Sequence, residues 1–421
     1  MINKEISRYE RIYCEFEKAV RNEGLDFADD RKAETEKLFA EIKALGGSVC
    51  AGSKSVVLNR RSKACDHCRT GDGAKTFIIS LDCNRDCYFC SNRNQENYDQ
   101  KINTVFNIKN EFKSFAEKAG KVRSVAVTGG EPLLYPDECI DFFRTVKRHD
   151  RKTETRLYTN GDLMTVDILK KLSGCLDEIR ISVKDSDGKY DGGELELKLL
   201  LAKEYIGHVT VEMPVLPNSY GEMTSLLDVM ERCGIFSVNL LEFLFPWQRP
   251  QEYRNRGYSV KHRPYKVLYK YDYAGGLPVD GSEITALECI RYALKNNFKT
   301  GIHYCSLENK LTSQIYSQNA GTKLTPYEMF DEDDFFIKSA KAWGEDALLI
   351  KDALDRMGVL YYFFDESECS LEFRVKDMEL ITPERAAEAA VSYCVAEHSG
   401  HKYLREIHLE KVTVKGADNE C

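Results

Sequence analysis

Residues 76–93 of this chain read TFIISLDCNRDCYFCSNR. The apolar, β-branched start predicts a strand over 76–81, and three cysteines follow it at Cys83, Cys87 and Cys90. Thiolates at this spacing can ligate three irons of one [4Fe–4S] cluster, which normally takes four cysteine ligands. Three ligands would leave one iron open to an outside ligand, as catalytic metal sites do. Zinc is the alternative, although no histidine follows nearby to complete its four ligands.

The order of elements after this stretch predicts the fold class. Short β-branched runs alternate with amphipathic helical stretches up to about residue 245. Six strands that alternate with helices indicate parallel strands in βα units of an α/β protein, either in an open sheet or in a barrel. The predicted strands span 76–81, 124–127, 155–158, 178–183, 209–215 and 237–243.

Polar residues and glycines follow the predicted strands at their carboxyl ends. Thr128–Pro132 (TGGEP) follows the second strand, and Thr159–Gly161 (TNG) follows the third. Paired glycines let a ligand approach the backbone closely, although a tight turn ahead of a helix explains these two glycines better when they are taken by themselves. Because parallel strands present ligand sites at their carboxyl ends, we expect one site built from several strands. The later strands contribute Ser182, Lys184, Glu212, Pro214 and Glu242.

These motifs together resemble those of the radical S-adenosylmethionine (SAM) superfamily. The matching pieces are CNRDCYFC at 83–90, the GGEP turn at 129–132 and the TNG turn at 159–161. The resemblance implies a partial (β/α)6 barrel whose three cysteines hold a [4Fe–4S] cluster, with SAM chelating the fourth iron. It further implies reductive cleavage of SAM to a 5′-deoxyadenosyl radical, which abstracts hydrogen from an unidentified small-molecule or peptide substrate.

The same resemblance assigns residues to SAM. Phe89 would contact the adenine, and Glu131 with its two preceding glycines would meet the methionine amino group. Asn160 and Ser182 are candidates for the ribose and the carboxylate. The full predicted set of SAM-binding residues is Phe89, Gly129, Gly130, Glu131, Pro132, Asn160, Ser182 and Glu212.

Beyond residue 60, the chain also resembles a poorly characterised radical SAM group described as related to pyruvate formate-lyase activating enzyme. Shared pieces are CDHC at 65–68, LPVDGSE at 277–283 and GIHYCSLENKLTSQ at 301–314. An activase that installs a glycyl radical on a partner enzyme is therefore an alternative function. A C-terminal unit of about 90 residues instead favours a substrate specificity of its own. In either case a reductant such as flavodoxin or ferredoxin would supply the electrons.

Three further cysteines have the character of metal ligands. Cys65 and Cys68 precede the first predicted strand, and Cys305 lies in a later one. We hypothesise that they bind a second metal, as an auxiliary iron–sulfur cluster or a structural zinc. Candidate fourth ligands are Cys50, His67 and His303. The alternative is that Cys305 is a buried strand residue and that Cys65 and Cys68 are reduced thiols that bind no metal.

The sequence divides into four predicted regions. Residues 1–75 are a helical N-terminal region with the CxxC segment, loop-like from 48 to 75. Residues 76–245 form the (β/α)6 core, 246–330 a barrel-closing segment with a candidate auxiliary metal ligand, and 331–421 a small α+β domain. In the last region we expect helices at 346–357 and 383–396 and strands near 359–364, 370–375 and 405–414.

Composition limits the class of partner. The 421 residues carry a net charge of −8, which gives no electrostatic attraction to nucleic acid or to an anionic membrane. An RNA-modifying enzyme is therefore a less favoured alternative, although aromatic and basic residues mix over 247–258 and 261–273. A non-catalytic metal-binding protein is a further alternative, against which the GGEP and TNG turns argue. The clustered cysteines and the lack of an apolar run of membrane-spanning length predict a cytoplasmic protein with no membrane partner.

Overall fold

The structure is a computed structural model that describes residues 2–94, 98–184, 190, 192–246, 250–269, 276–399 and 401–416. These residues form two compact units. The larger, here called the barrel unit, draws on residues 25–264 and 273–311. The other, here called the terminal unit, draws on residues 1–24, 265–272 and 312–421.

The barrel unit is built around one sheet. Its strands are β1 (Ser48–Cys50), β2 (Ser55–Leu58), β3 (Ala74–Ile78), β4 (Ser124–Thr128), β5 (Glu154–Thr159), β6 (Glu178–Ile181), β7 (His208–Val215), β8 (Ser237–Glu242) and β11 (Gly301–Cys305). Two further strands, β9 (Leu244–Pro246) and β10 (Gly276–Pro278), form a separate pair. The strand order is β1-β2-β11-β8-β7-β6-β5-β4-β3. Strands β3 to β8 are parallel neighbours, so the six predicted strands and the partial α/β barrel are confirmed.

Helices connect these strands and cover the sheet. In chain order the helices are α1 (Ile2–Asn22), α2 (Lys32–Ala44), α3 (Lys63–Thr70), α4 (Tyr98–Lys101), α5 (Ile108–Ala119), α6 (Pro136–His149), α7 (Val166–Leu172), α8 (Gly192–Tyr205), α9 (Tyr220–Cys233), α10 (Pro250–Asn255), α11 (Ser282–Lys295), α12 (Leu307–Lys310), α13 (Thr312–Asn319) and α14 (Glu345–Arg356). Within the described residues, no helix has the length and apolar character needed to cross a membrane.

Helix α6 illustrates how a helix packs on the sheet. Phe142, Phe143 and Val146 recur at helical spacing and are fully buried. The ring centroid of Phe142 lies 5.1 Å from that of Phe77 on β3. Burying each such side chain stabilises the fold by roughly 1.5–3 kcal/mol. The apolar stripe of α6 therefore holds this helix against the sheet.

The segment from 48 to 75 is not the loop that the sequence predicts. It contains β1, β2 and α3, and β2 pairs antiparallel with β11, which itself runs parallel to β8. Helix α3 forms because Ser62 caps its first turn by accepting from the Ala64 N–H, while Gly71 ends it at φ +71°. The sheet therefore continues beyond the sixth parallel strand, and α3 gives Cys65 and Cys68 a regular scaffold.

The terminal unit is an antiparallel sheet with helices. Its strands are β12 (Met329–Phe330), β13 (Ile337–Trp343), β14 (Tyr362–Asp365), β15 (Ser370–Phe373), β16 (Ala387–Ser399) and β17 (His401–Val414), in the order β14-β15-β13-β16-β17 with β12 beside β13. Helix α14 confirms the predicted helix at 346–357, and β14, β15 and β17 confirm the predicted strands. Helix α1, although first in the chain, packs on β17 of this unit.

The predicted helix at 383–396 is wrong, because this stretch forms most of β16. Alanine and glutamate favour a helix in isolation. In the folded unit, however, β16 lies between β13 and β17 and pairs with both. Ala387, Ala389 and Ala390 are fully buried in that position, so pairing and packing from both sides override the local preference.

Candidate active site

A cavity of about 250 Å³ opens where strands β4 to β8 end. Cys83, Cys87 and Cys90, in the loop after β3, all line it. The strands deliver their terminal residues to the same place because parallel strands bring their carboxyl ends to one edge of a sheet. Six residues of the predicted SAM set line this cavity, namely Phe89, Gly129, Gly130, Asn160, Ser182 and Glu212.

The cysteine loop is anchored by the two residues that follow Cys83. Arg85 donates through Nε to Asp162 Oδ2 at 2.7 Å and through Nη1 to the Lys184 carbonyl at 2.8 Å. Asn84 donates to Asp162 at 3.1 Å and accepts from the Asn160 amide at 2.7 Å. Polar contacts therefore tie the loop to the ends of β5 and β6.

The donor set of this loop fits an iron–sulfur cluster. Three thiols face one cavity, and burial raises the pKa of Cys83 although its sulfur accepts the Arg85 backbone N–H at 3.4 Å. Soft thiolates are the ligands that iron–sulfur clusters take. Among the described residues, no three His, Cys, Asp or Glu side chains are gathered closely enough to share a single metal ion. Ligands of a cluster bind separate irons and do not need that close spacing.

The two glycines of the GGEP turn permit a close backbone contact. A Cβ on Gly129 would lie 2.1 Å from the Ser80 carbonyl oxygen, and one on Gly130 would lie 2.0 Å from that of Asp82. Gly129 also has a φ of +152°, which side chains rarely adopt. Gly130 N–H donates to the Ser80 carbonyl at 2.9 Å, so glycine here joins the turn to the start of the cysteine loop.

Glu131 connects the GGEP turn to the TNG turn. It is 1% exposed, and its carboxylate accepts from the Leu133 N–H at 2.9 Å, the Thr159 hydroxyl at 2.7 Å and the Asn160 N–H at 2.7 Å. Burial raises the pKa of Glu131, and these three donors oppose that effect. Pro132 is buried beside it. Neither residue is among those that line the cavity, and their contact with SAM stays a prediction.

Charged side chains also line the cavity. Arg180 on β6 is 3% exposed, donates to Glu178 Oε1 at 2.9 Å and pairs with Glu212. Lys184 has a buried amine 3.6 Å from Glu222. Buried charges persist only when paired, so this wall offers polar groups in fixed positions.

Glu242 forms a second charged group at the end of β8. Its Oε1 lies 3.2 Å from Lys261 Nζ, which lies 2.6 Å from Glu283, and its Oε2 accepts from the Leu307 N–H at 2.8 Å. Burial raises the pKa of Glu242, and Lys261 acts against that shift. A cation and a backbone donor therefore satisfy this buried carboxyl group at the edge of the cavity.

An aromatic cluster packs behind the cysteine loop. Tyr253 is buried and stacks on Phe243 with ring centroids 5.2 Å apart, and Tyr88 lies 5.8 Å from Tyr253. Arg256 covers the Tyr88 ring at 3.7 Å. Tyr253 and Arg256 belong to the described part of the first predicted aromatic and basic stretch, while 247–249 and 270–273 lie outside the described residues. Packing of this kind holds apolar rings against the cysteine loop on this side.

Sequence reasoning missed several residues that organise the cavity. Asn84, Arg85 and Asp162 anchor the loop, and Arg180 lies in its wall. For Arg180, the available signal is a charged residue within the predicted strand, since arginine is seldom buried without a partner. The side-chain partners themselves are far apart in sequence, so no spacing rule could pair them.

Comparison with known proteins gives one family match and one curated relative. Residues 77–230 match the model of the Radical SAM superfamily. Over 333 residues the chain is 26% identical to the Methanocaldococcus jannaschii protein named "Putative glycyl-radical enzyme activating enzyme MJ0021". The alignment covers 75% of this chain and 83% of that protein.

Two solved structures align with parts of this chain at low identity. The Streptococcus suis protein SuiB bound to the precursor peptide SuiA aligns with a TM-score of 0.41 and 15% identity, over 77% of this chain and 67% of that chain. Native anSMEcpe with bound AdoMet and Cp18Cys peptide aligns with a TM-score of 0.33 and 18% identity, over 40% of this chain. The alignment spans half of the length of the anSMEcpe chain.

Proposed function

We propose that this radical SAM enzyme, identified by the match of residues 77–230 to the superfamily model, abstracts hydrogen from a small-molecule or peptide substrate. The substrate would bind in the cavity at the strand ends. Its cofactors are a [4Fe–4S] cluster and SAM. The observation that carries the proposal is the convergence of three cysteines and six predicted SAM-binding residues on one cavity. The non-catalytic alternative is set aside by the family match.

Each part of the cavity has a distinct role in this proposal. Cys83, Cys87 and Cys90 would ligate three irons and leave one for SAM. When bound, the cluster supplies the electron that converts SAM to methionine and a 5′-deoxyadenosyl radical. Asn84 and Arg85 hold the cysteine loop against the strand ends.

The remaining wall would bind SAM and substrate. Asn160 and Ser182 present an amide and a hydroxyl to the ribose and carboxylate, and Phe89 presents a ring to the adenine. Arg180, Lys184 and Glu212 keep charged groups in the cavity wall, which favours a substrate with polar groups because an apolar one would take their remaining water without replacing its hydrogen bonds. The aromatic cluster around Tyr253 would shield a radical from water on its side of the cysteine loop.

Production of 5′-deoxyadenosine tests the proposal directly. Protein reconstituted anaerobically and given dithionite and SAM should release it, and Cys87→Ala should reduce release at least 100-fold. Cys289→Ala is a matched control, because that cysteine is buried in α11 away from the cavity lining. Equal release by the Cys87→Ala protein would overturn the assignment of the cluster.

The relative from Methanocaldococcus jannaschii favours one second candidate, an activase for a glycyl radical enzyme. An activase must act on a glycine in a partner protein, and that reaction leaves a stable protein radical. Incubation with a glycyl radical enzyme from the same source should then give a doublet in the electron paramagnetic resonance (EPR) spectrum that depends on SAM. A small-molecule enzyme would give no such signal.

A further inference from the structure

Three cysteines outside the catalytic loop converge on one part of the barrel unit, where Cys65 and Cys305 are half-buried and Cys68 is exposed. Cys65 and Cys68 lie three residues apart on α3, and thus on one face of that helix. Cys305 ends β11, and α12, which follows it, packs against α3. The Cys305 thiol lies within electrostatic range of both Cys65 and Cys68. The fold therefore assembles a group from two segments about 240 residues apart.

Hydrogen-bond donors and cations surround these sulfurs. Arg180 Nη2 donates to Cys65 Sγ at 3.2 Å, and Asn309 Nδ2 donates to Cys305 Sγ at 3.2 Å. Arg156, Arg180 and Lys310 lie within electrostatic range of Cys68. Positive neighbours and N–H donors stabilise sulfur that carries negative charge, which is the state of a thiolate bound to a metal.

Buried polar atoms near this group lack partners. His303 shares a strand face with Cys305, two residues away, and is 4% exposed. Its Nε2 lies 3.0 Å from Ser55 Oγ, whereas its Nδ1 has no hydrogen-bond partner among the described residues. Nε of the buried Arg156 likewise has none there. Because buried polar groups are normally satisfied, these two atoms are available to a group bound beside the cysteines.

We infer that Cys65, Cys68 and Cys305 bind a second iron–sulfur cluster in the barrel unit. Single-ion zinc sites need ligands within a few ångströms of one another, and the described residues contain no group of three that is so close. A cluster bridges wider spacing through separate irons. Arg180 and Lys310 also line the cavity, so the second cluster lies behind the wall that these two side chains form.

This inference does not depend on the reaction proposed above, and its test uses no SAM. The starting protein is the variant Cys83→Ala, Cys87→Ala, Cys90→Ala, reconstituted anaerobically with iron and sulfide. It should keep about half of the wild-type iron and acid-labile sulfide, together with iron–sulfur absorption. Adding Cys65→Ala, Cys68→Ala and Cys305→Ala should reduce iron to background.

A matched control separates ligand loss from damage to the fold. Adding Cys175→Ala, Cys233→Ala and Cys289→Ala to the same starting protein removes three buried thiols of the barrel unit and should leave its iron unchanged. If the sixfold ligand variant fails to fold, Cys305→Ser alone in the starting protein should change the EPR spectrum of the reduced cluster. Iron at background in the starting protein, or stoichiometric zinc without iron, would overturn the inference.

Discussion

Glu131 shows how one side chain can join two ligand-binding turns. Its carboxylate accepts three hydrogen bonds from the two turns and is buried. In Glu131→Gln, an amide N–H2 would face at least one of these donors, leaving it unsatisfied at a cost of about 1–3 kcal/mol. Urea unfolding should show that loss, whereas Glu138→Gln, exposed on α6, should change stability by less than about 0.5 kcal/mol. Equal effects would show that the carboxylate is not what joins the turns.

Asp162 provides a dependence on pH at the residue scale. Burial alone would raise the pKa of Asp162, but Arg85 and Lys198 lower it from 3.8 to about 2. Because the folded pKa lies below the unfolded one, the contribution to stability is complete above pH 4 and is lost as the pH falls towards 2. Water screens this partly exposed group, so we expect about 1 kcal/mol or less.

The difference in unfolding free energy between the wild type and Asp162→Asn isolates that contribution. The wild type should be the more stable at pH 7, and the two proteins should converge near pH 2. A difference that stays constant over this range would mean that the charge of Asp162 is not responsible.

At the scale of elements, the cap of α3 supports both the barrel and the second cysteine group. Ser62 accepts from the Ala64 N–H at 3.2 Å and donates to buried Glu178 at 2.5 Å. Ser62→Ala removes a cap worth about 1 kcal/mol and a bond to a charged group worth roughly 1.5–3 kcal/mol. Asn107→Ala on α5 removes only a cap, so it should cost about 1 kcal/mol.

Urea unfolding of the two capping variants makes that comparison, and hydrogen exchange locates the effect. Exchange should accelerate across α3 in Ser62→Ala, and Ser62→Thr should restore most of the protection because it keeps the hydroxyl. Equal destabilisation by Ser62→Ala and Asn107→Ala would remove the role given to Glu178.

Elements differ in how well the sequence predicts them, for physical reasons. Strands β3 to β8 are confirmed because each is a short run with β-branched or aromatic residues that alternates with a helical stretch, which is a local property. The sequence predicts a helix for most of β16 because local preference does not register its pairing with β13 and β17. That pairing is set by distant residues. Gly129 and Gly130 were predicted from their motif, whereas their contact with the carbonyls of Ser80 and Asp82 required the folded chain.

At the scale of the whole molecule, cofactor binding should be visible as stability. A ligand that binds only the native state stabilises it by about 2.7 kcal/mol at 100 times its Kd, which corresponds to a rise in Tm of roughly 5 °C for a unit of this size. If SAM chelates the iron that Cys83, Cys87 and Cys90 leave open, this rise requires those cysteines. Anaerobic calorimetry should therefore show it for the reconstituted wild type but not for the variant that lacks all three.

The same measurement distinguishes chelation from binding by the strand ends alone. Asn160, Ser182 and Phe89 remain in the variant, so any SAM that they hold without iron would still raise its Tm. The Cys175→Ala, Cys233→Ala, Cys289→Ala protein keeps the cysteine loop and should respond like the wild type. An equal rise in Tm for the wild type and the protein without the loop cysteines would contradict iron chelation. SAM recognition would then rest on the strand ends, and the cysteines would serve only to deliver the electron.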